Sequence, residues 1–517
     1  MSDPNNLLGS GTFGEITTEI NDNGEEVARK YFKYGLNQDA IREINCAKLF
    51  QDIPELISLN NIIMKVGKYV YFHKTIDEYF DAYVAADMEK MDTNLVTDGN
   101  YPLTFQQKIS IMFQVTKGIA TLHSNGYMHR DIKPQNILIK KDGDNVIARV
   151  CDFGTARPDC NSTSILTGGP GTEYYRAPET ENIKEGQHFP KYGTSSDVWS
   201  LGITFLELIL GMRFDCNEIL RGNARDKFLL SICLNAVGAT TEQRDRLLHL
   251  LDSMTKTDPD ERITAQSILE HPFFNEIEGY NDITQKVYMD YPKTNQVSGL
   301  LMNKEAQEFW TKTSCKMDMI RLGIPSIHRA KQLVERYYAI TNKINEHIIY
   351  ACFYLSACIH TDGMIVLKLI RLELLKTNQQ GDEERYREKV IELHHTCIDI
   401  MEKCDYIIAP YQTQYEYLLN SEIEEVRKKA MYLVATLGTD EFTCEELVGI
   451  IKRCSNPDGD HTEVDKMILT NYFDNYVDKL DMTKIYISIL AENMADTISN
   501  KNNKRKKNKC KPPCVIM

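Results

Sequence analysis

The chain has 517 residues, 42% hydrophobic and 26% charged, a globular composition too long for one ordinary domain. Its net charge of −14 divides unevenly: residues 501–517 carry seven Lys/Arg and no acid, so the rest sets 53 basic against 74 acidic residues. An acidic body repels DNA and RNA, so no nucleic-acid partner is expected, and a basic tip on it is a local address rather than a binding face.

In chain order, residues 1–80 alternate short β-like runs with turns. LGSGTFGEI supplies Gly9, Gly11 and Gly14 as GxGxxG, followed by Ile16. A dinucleotide-binding unit needs a strand before such a motif and a helix after it; here little precedes it and β-like sequence follows. The reading is a glycine-rich hairpin whose backbone N–H groups approach phosphates. Sixteen residues beyond Gly14, VARK ends in Lys30, a point charge suited to phosphates. DAIREINCAKLF is helical and carries Glu43, a natural carboxylate partner for that lysine.

From residue 104 onward helical patterns dominate. HRDIKPQN at 129–136 places Asp131 to accept a hydroxyl proton, Lys133 to neutralise a transferred phosphoryl and Asn136 to ligate a metal. Asp152-Phe153-Gly154 follows sixteen residues after Asn136, with Asp152 as a second metal ligand. A turn-rich segment spans about 152–195, with Ala177-Pro178-Glu179 within it. DVWSLG (Asp197) and ERITA (Arg262) lie further on, and HPFF at 271–274 reads as a domain end.

The order Gly-loop, Lys, Glu, HRD…N, DFG, APE resembles the eukaryotic-type protein kinase domain over residues 1–275. The resemblance implies an α+β bilobal kinase fold, with a β-rich N-lobe over about 1–90 and an α-helical C-lobe over about 91–275. It implies ATP and Mg²⁺ as cofactors and protein substrates as partners. Lys133, two residues past Asp131, resembles the serine/threonine class. Around ATP it implies Leu8, Gly9, Ser10, Gly11, Thr12, Phe13, Gly14, Ile16, Ala28 and Lys30. Met88 then gates the back pocket, and Glu89 and Met91 hold adenine through their backbone. Asp131, Lys133, Asn136, Lys30 and Glu43 are the implied catalytic set, Asn136 and Asp152 the metal ligands, and Glu179 pairs with Arg262.

AIREI, HRDIKPQN and YYRAPE narrow the resemblance to the cyclin-dependent and MAP kinase group. That group implies an activating phosphate on Thr167, twelve residues before Glu179, cradled by Arg42, Arg130 and Arg157 through charge-assisted pairs. Arg176 in YYRAPE hints at proline-directed substrates. Thr12-Phe13 stands where Thr-Tyr is common, so tyrosine phosphorylation there is chemically unavailable.

Residues 276–299 read as a polar linker and 300–495 as an all-α domain. In PSIHRAKQLVERYY, Pro325 and Ser326 mark a helix start, and Ile327, Ala330, Leu333, Val334, Tyr337 and Tyr338 share one face at 3.6 spacing. Further helices are expected over SEIEEVRKKAMYLVATLG, capped by Ser421 and Glu424, and over TCEELVGI. RAKQLVERYY followed by an apolar helix resembles a cyclin box through Glu335, Arg336 and Tyr337, although SACIHTDG replaces the family's second signature. That resemblance implies an activator in cis. The alternatives are an external cyclin, a substrate-docking module, or a non-catalytic membrane scaffold. SNPDGDHTEVD lacks the glycine of a Ca²⁺ loop and reads as a solvated loop.

The fourteen cysteines lack metal spacing and read as reduced core residues, so no disulfides are expected. MSDPNNLLGS has no secretory pattern, and the longest apolar run, LGITFLELILGM, is twelve residues and contains Glu207. The tail, 496–517, reads as disordered and polybasic, and its KRKK also fits a nuclear localisation pattern. Its end, CVIM, fits a CaaX signal for prenylation at Cys514, with Cys510 as a possible second acylation site and the lysines drawn to an anionic membrane surface. It resembles the prenylated tail of Ras-type GTPases. The expected location is cytoplasmic, peripheral on the cytosolic face of a membrane.

Overall fold

The computed structural model describes residues 6–10, 14–33, 35–73, 78–96, 102–158, 171–180, 193–213, 219–220, 222–275, 277, 304–319, 322, 324–361, 363–375 and 382–408. Thr167, Gly11, Thr12, Phe13, Cys510, Cys514 and the helices expected over 421–450 lie outside them.

The N-terminal part forms an antiparallel five-stranded sheet. Its strands are β1 (Leu7–Ser10), β2 (Gly14–Ile20), β3 (Glu26–Phe32), β4 (Asn60–His73) and β5 (Glu78–Met88), in the order β1-β2-β3-β5-β4. Strand β3 alternates by the two-residue pleat: Ala28, Lys30 and Phe32 are buried and their neighbours are not. Helix α1 (Gln38–Leu49) sits between β3 and β4 in sequence. Asn37 caps it by accepting the Ala40 N–H, with Asp39 in its first turn and Lys48 in its last, each sign favourable to the helix dipole. A surface helix buries one stripe. This one buries nine of its twelve residues, including Arg42, Glu43 and Asn45, so it is covered on more than one side.

The helical part that follows is built on α2 (Phe105–Ser124), whose start is a reciprocal capping box between Thr104 and Gln107. The strands β6 (Thr93–Asn94), β8 (Ile137–Asp142) and β9 (Asn145–Val150) form a small sheet, and β7 (Tyr127–Met128) pairs with β10 (Arg157–Pro158). Helices α3 (Thr194–Leu210), α4 (Arg225–Leu234), α5 (Thr241–Met254) and α6 (Ala265–Leu269) complete it. The two parts are stitched by backbone: Val150 N–H donates to Glu55 O at 2.9 Å and Ile57 N–H to Val150 O at 2.9 Å. The expected β-rich and helical lobes are both present.

The chain separates into two compact units. The first comprises Met1–Asn295 together with Cys358–Thr361 and Leu393–Thr413; the second comprises Gln296–Ala357, Asp362–Glu392 and Gln414–Met517. The remaining described helices are α7 (Lys304–Met319), α8 (Ile324–Thr341), α9 (Glu346–His360), α10 (Met364–Leu375) and α11 (Asp382–Lys403). Helix α8 starts at the expected Pro325-Ser326, and Ile327, Ala330, Leu333, Val334 and Tyr337 are buried. Within the second unit Trp310 stacks on Phe353 at 4.6 Å, and Ser356 Oγ donates to Ser326 O at 2.7 Å. Among the described residues no helix is long and apolar enough to cross a membrane.

Candidate active site

The inward pleat of β3 delivers Lys30, and the cleft-facing side of α1 delivers Glu43. Lys30 Nζ lies 2.6 and 2.7 Å from the two Glu43 oxygens and 3.4 Å from Asp152 Oδ1. Burial works against the ammonium, yet the charges of Glu43 and Asp152 outweigh it and hold its pKa well above the usual lysine range. The lysine is therefore a fixed cation. Gly14 lies over it: a Cβ there would meet Tyr31 O at 2.7 Å and the Lys30 side chain at 3.3 Å, so the close approach of β2 requires glycine.

The loop 129–136 is shaped by Asp197, at the start of α3. Its carboxylate accepts the His129 and Arg130 N–H groups, each at 2.8 Å, and lies 2.9 Å from His123 Nε2. Burial raises its pKa, but the His123 contact and these N–H donors bring it below the usual carboxylate range. Arg130 takes a left-handed backbone (φ 71°), as does Asp152 (φ 67°). Each such residue costs on the order of 1–3 kcal/mol and persists only where its surroundings over-determine it. The Asp197 carboxylate supplies that restraint at Arg130.

Asp131 sits at the focus of this loop. Its Oδ2 accepts Lys133 Nζ at 2.5 Å and Asn136 Nδ2 at 3.2 Å; its Oδ1 accepts the Thr172 N–H at 2.9 Å and hydroxyl at 3.1 Å. Lys133 Nζ also donates to Thr172 Oγ1 at 2.9 Å. Gly171 makes the approach possible: at φ 88°, a Cβ there would meet Arg130 O at 2.7 Å. His129 donates through Nε2 to Cys151 O at 3.0 Å, leaving Nδ1 to accept the Asp131 N–H at 3.3 Å. Phe153, fully buried, packs edge-on against the His129 ring at 5.5 Å.

Asn136 turns its amide nitrogen to Asp131, to the backbone O at 2.8 Å as well as to the carboxylate, which leaves its amide oxygen for another ligand. Asp152 stays ionised: burial raises its pKa, but Lys30, His129 and Lys133 together outweigh it and bring it below the usual range. One carboxylate and one amide oxygen form a hard donor set that fits Mg²⁺, which takes few protein ligands and completes its shell with water and phosphate oxygens. Leu8, Met88, Glu89 and Met91 line one open groove, and Ala28 is the cross-strand partner of Met88. The Glu89 side chain is held away by Arg149 at 2.5 Å and Lys140 at 3.2 Å. Glu179 and Arg262 form a two-pronged pair at 2.8 and 3.1 Å, as expected.

The anticipated catalytic residues thus converge. Arg42 and Arg157 also come together, but on backbone carbonyls of residues 358–361, and Arg130 contributes its N–H to Asp197. Thr172 was missed by the sequence reading, although its position five residues before Ala177 placed it within reach of the site.

A family model for the protein kinase domain matches residues 3–274. Serine/threonine-protein kinase NLK2 of Xenopus laevis is 27% identical over 369 residues, covering 65% of this chain and 77% of its own length. Mitogen-activated protein kinase 4 of Oryza sativa subsp. japonica is 28% identical over 307 residues (52% and 77%). The human MAPK/MAK/MRK overlapping kinase is 30% identical over 303 residues (52% and 66%). With the cleft geometry and these relatives together, the chain belongs to the protein kinase family and is a MAP-kinase-like serine/threonine kinase.

Proposed function

We propose that this kinase transfers the γ-phosphoryl of ATP to protein Ser/Thr hydroxyls at the Asp131 cleft, and that C-terminal residues of the same chain hold it in the working arrangement. Asp131 orients the acceptor hydroxyl and takes its proton; Lys133 faces the transferred group; Lys30, fixed by Glu43, grips the α- and β-phosphates. Asn136 and Asp152 would hold a Mg²⁺ ion, which when bound would supply charge neutralisation to the phosphates.

The observation that carries the cis reading is the double cover of α1. Toward the cleft Glu43 meets Lys30. On other faces Asn45 Oδ1 accepts the Ile408 N–H at 2.7 Å, Arg42 Nε donates to Cys358 O at 2.5 Å, and Lys48 lies over the Tyr406 ring at 5.8 Å. A helix gripped this way keeps Glu43 on Lys30 without a second protein. The cyclin-like reading of α8 and α9, with Glu335, Arg336 and Tyr337 near the end of α8, is consistent with such a role.

Full-length protein and a 1–275 fragment, its folding checked by circular dichroism, are compared for phosphorylation of a basic protein with no partner added. The reading expects an active full chain and a fragment at least tenfold slower; equal rates would discard cis activation. Proline direction, suggested by Arg176 beside the site, is tested with Ser-Pro against Ser-Ala peptides. The tail reading, a lipid on Cys514 beside a polybasic run, is tested by mass spectrometry of protein from eukaryotic cells and by loss of membrane partitioning in Cys514→Ser.

A further inference from the structure

Two of the three arginines expected to hold a phosphate, Arg42 and Arg157, have guanidiniums engaged by backbone carbonyls. Arg42, on α1, is 4% exposed, and Arg157, in β10 just past Asp152-Phe153-Gly154, is 7% exposed. Arg42 donates from Nε to Cys358 O at 2.5 Å and from Nη2 to Thr361 O at 3.1 Å. Arg157 donates from Nη2 to Thr361 O at 2.6 Å and from Nη1 to His360 O at 3.4 Å.

These acceptors are not arbitrary carbonyls. Cys358 and His360 are in the last turn of α9, and Thr361 is the residue after it. The last four carbonyls of a helix lack an intrahelical donor and carry the negative end of its dipole, equivalent to about half an electron charge. A helix C-terminus is therefore an anion-like ligand for guanidinium. One oxygen, Thr361 O, is shared by both arginines. It ties α1 to the start of the turn-rich 152–195 segment, the activation segment expected to carry a phosphate on Thr167, the link that such a doubly charged phosphate would otherwise make. Asp39 Oδ1, 3.3 Å from Arg42 Nη1, adds a formal negative charge to the cluster. Both guanidiniums are thus buried and forked onto carbonyls.

We propose that the C-terminal end of α9 is a built-in substitute for the activation-segment phosphate, so that the full chain is active without phosphate on Thr167, with Arg42 and Arg157 as positioning residues acting through Glu43 and the activation segment. The inference rests on the cis reading above and adds its chemistry: peptide carbonyls in place of a phosphoryl group.

The test uses the full-length chain, treated with phosphatase and shown by mass spectrometry to carry no phosphate on Thr167. Its kcat/KM is expected within about threefold of the untreated protein and of Thr167→Ala. Arg157→Ala in the same dephosphorylated background is expected to lower kcat at least tenfold while KM for ATP moves less than threefold. Arg157→Lys serves if the alanine variant unfolds. A lysine is a point charge able to neutralise phosphate but unable to fork across two carbonyls, so it too is expected to fail; full rescue by lysine would count against the proposal. A loss of tenfold or more on phosphatase treatment, restored by rephosphorylating Thr167, would overturn it. A chain inactive in both states until a second protein is added would instead sink the cis reading itself.

Discussion

The two sides of α1 are held by different chemistry. Toward the cleft, one charged side chain meets another: Glu43 and Lys30 at 2.6 Å, both buried. Away from it, polar side chains meet backbone: Asn45 with the Ile408 N–H, Arg42 with the Cys358 and Thr361 carbonyls. The first kind of contact sets what the helix does, because it positions the group that grips ATP. The second joins the helix to parts of the chain more than 300 residues distant in sequence.

The largest expected effect lies in the cleft. Asp131→Asn removes the base while leaving an isosteric partner for Thr172, so kcat should fall by about 10²–10⁴, read by ³²P transfer; an unchanged rate would dismiss Asp131 as base. Next comes Glu43→Gln on the inner side of α1. Removing one member of a buried ion pair costs on the order of 3–5 kcal/mol of stability, and it frees the lysine that grips the phosphates, so kcat/KM should fall by about a hundredfold. Asn45→Ala, on the outer side, leaves the buried Ile408 N–H without its acceptor, a loss of about 1–3 kcal/mol. Thermal unfolding should show it, and kcat should drop less than for Glu43→Gln. If Asn45→Ala instead matched Glu43→Gln in kcat, the division between the two sides would collapse.

The smallest effect is a pH dependence. His394, buried in the 393–408 stretch, has its pKa lowered to about 4 by burial and by neighbouring His395. In the unfolded chain it takes its proton near 6.5, so on acidification the unfolded state binds the proton first. Stability is full above pH 6.5 and falls between 6.5 and 4, by about 1 kcal/mol at pH 5.5. Faster hydrogen exchange in 393–408 at pH 5.5 than at 7.5, corrected for intrinsic rates, would report it; a His394→Asn variant with the same pH slope would refute the assignment.

The cleft was legible because its signals are local. Lys30, Glu43, Asp131, Asn136 and Asp152 stand at spacings that only a phosphoryl-transfer site requires, and the pleat of β3 and the cap at Asn37 follow from a few residues each. The helix start at Pro325-Ser326 was legible for the same reason. The outer clamp was not. Its acceptors are carbonyls, which every residue supplies, so nothing in Cys358-Ile359-His360-Thr361 marks them as a ligand for arginine. Nor can periodicity pair Asn45 with Ile408. Arg42 and Arg157 were expected to cradle a phosphate on Thr167, which lies outside the described residues, and side-chain chemistry alone could not say that they would meet peptide oxygens.

The measurement that bears most directly on the account is the specific activity of the purified full-length chain as a function of its own concentration. An activator on the same chain acts at a fixed effective concentration, so phosphorylation rate per enzyme molecule should stay constant over a thousandfold dilution. A specific activity that falls on dilution and recovers on concentration would mean that the contacts holding α1 come from another molecule, and would contradict activation in cis.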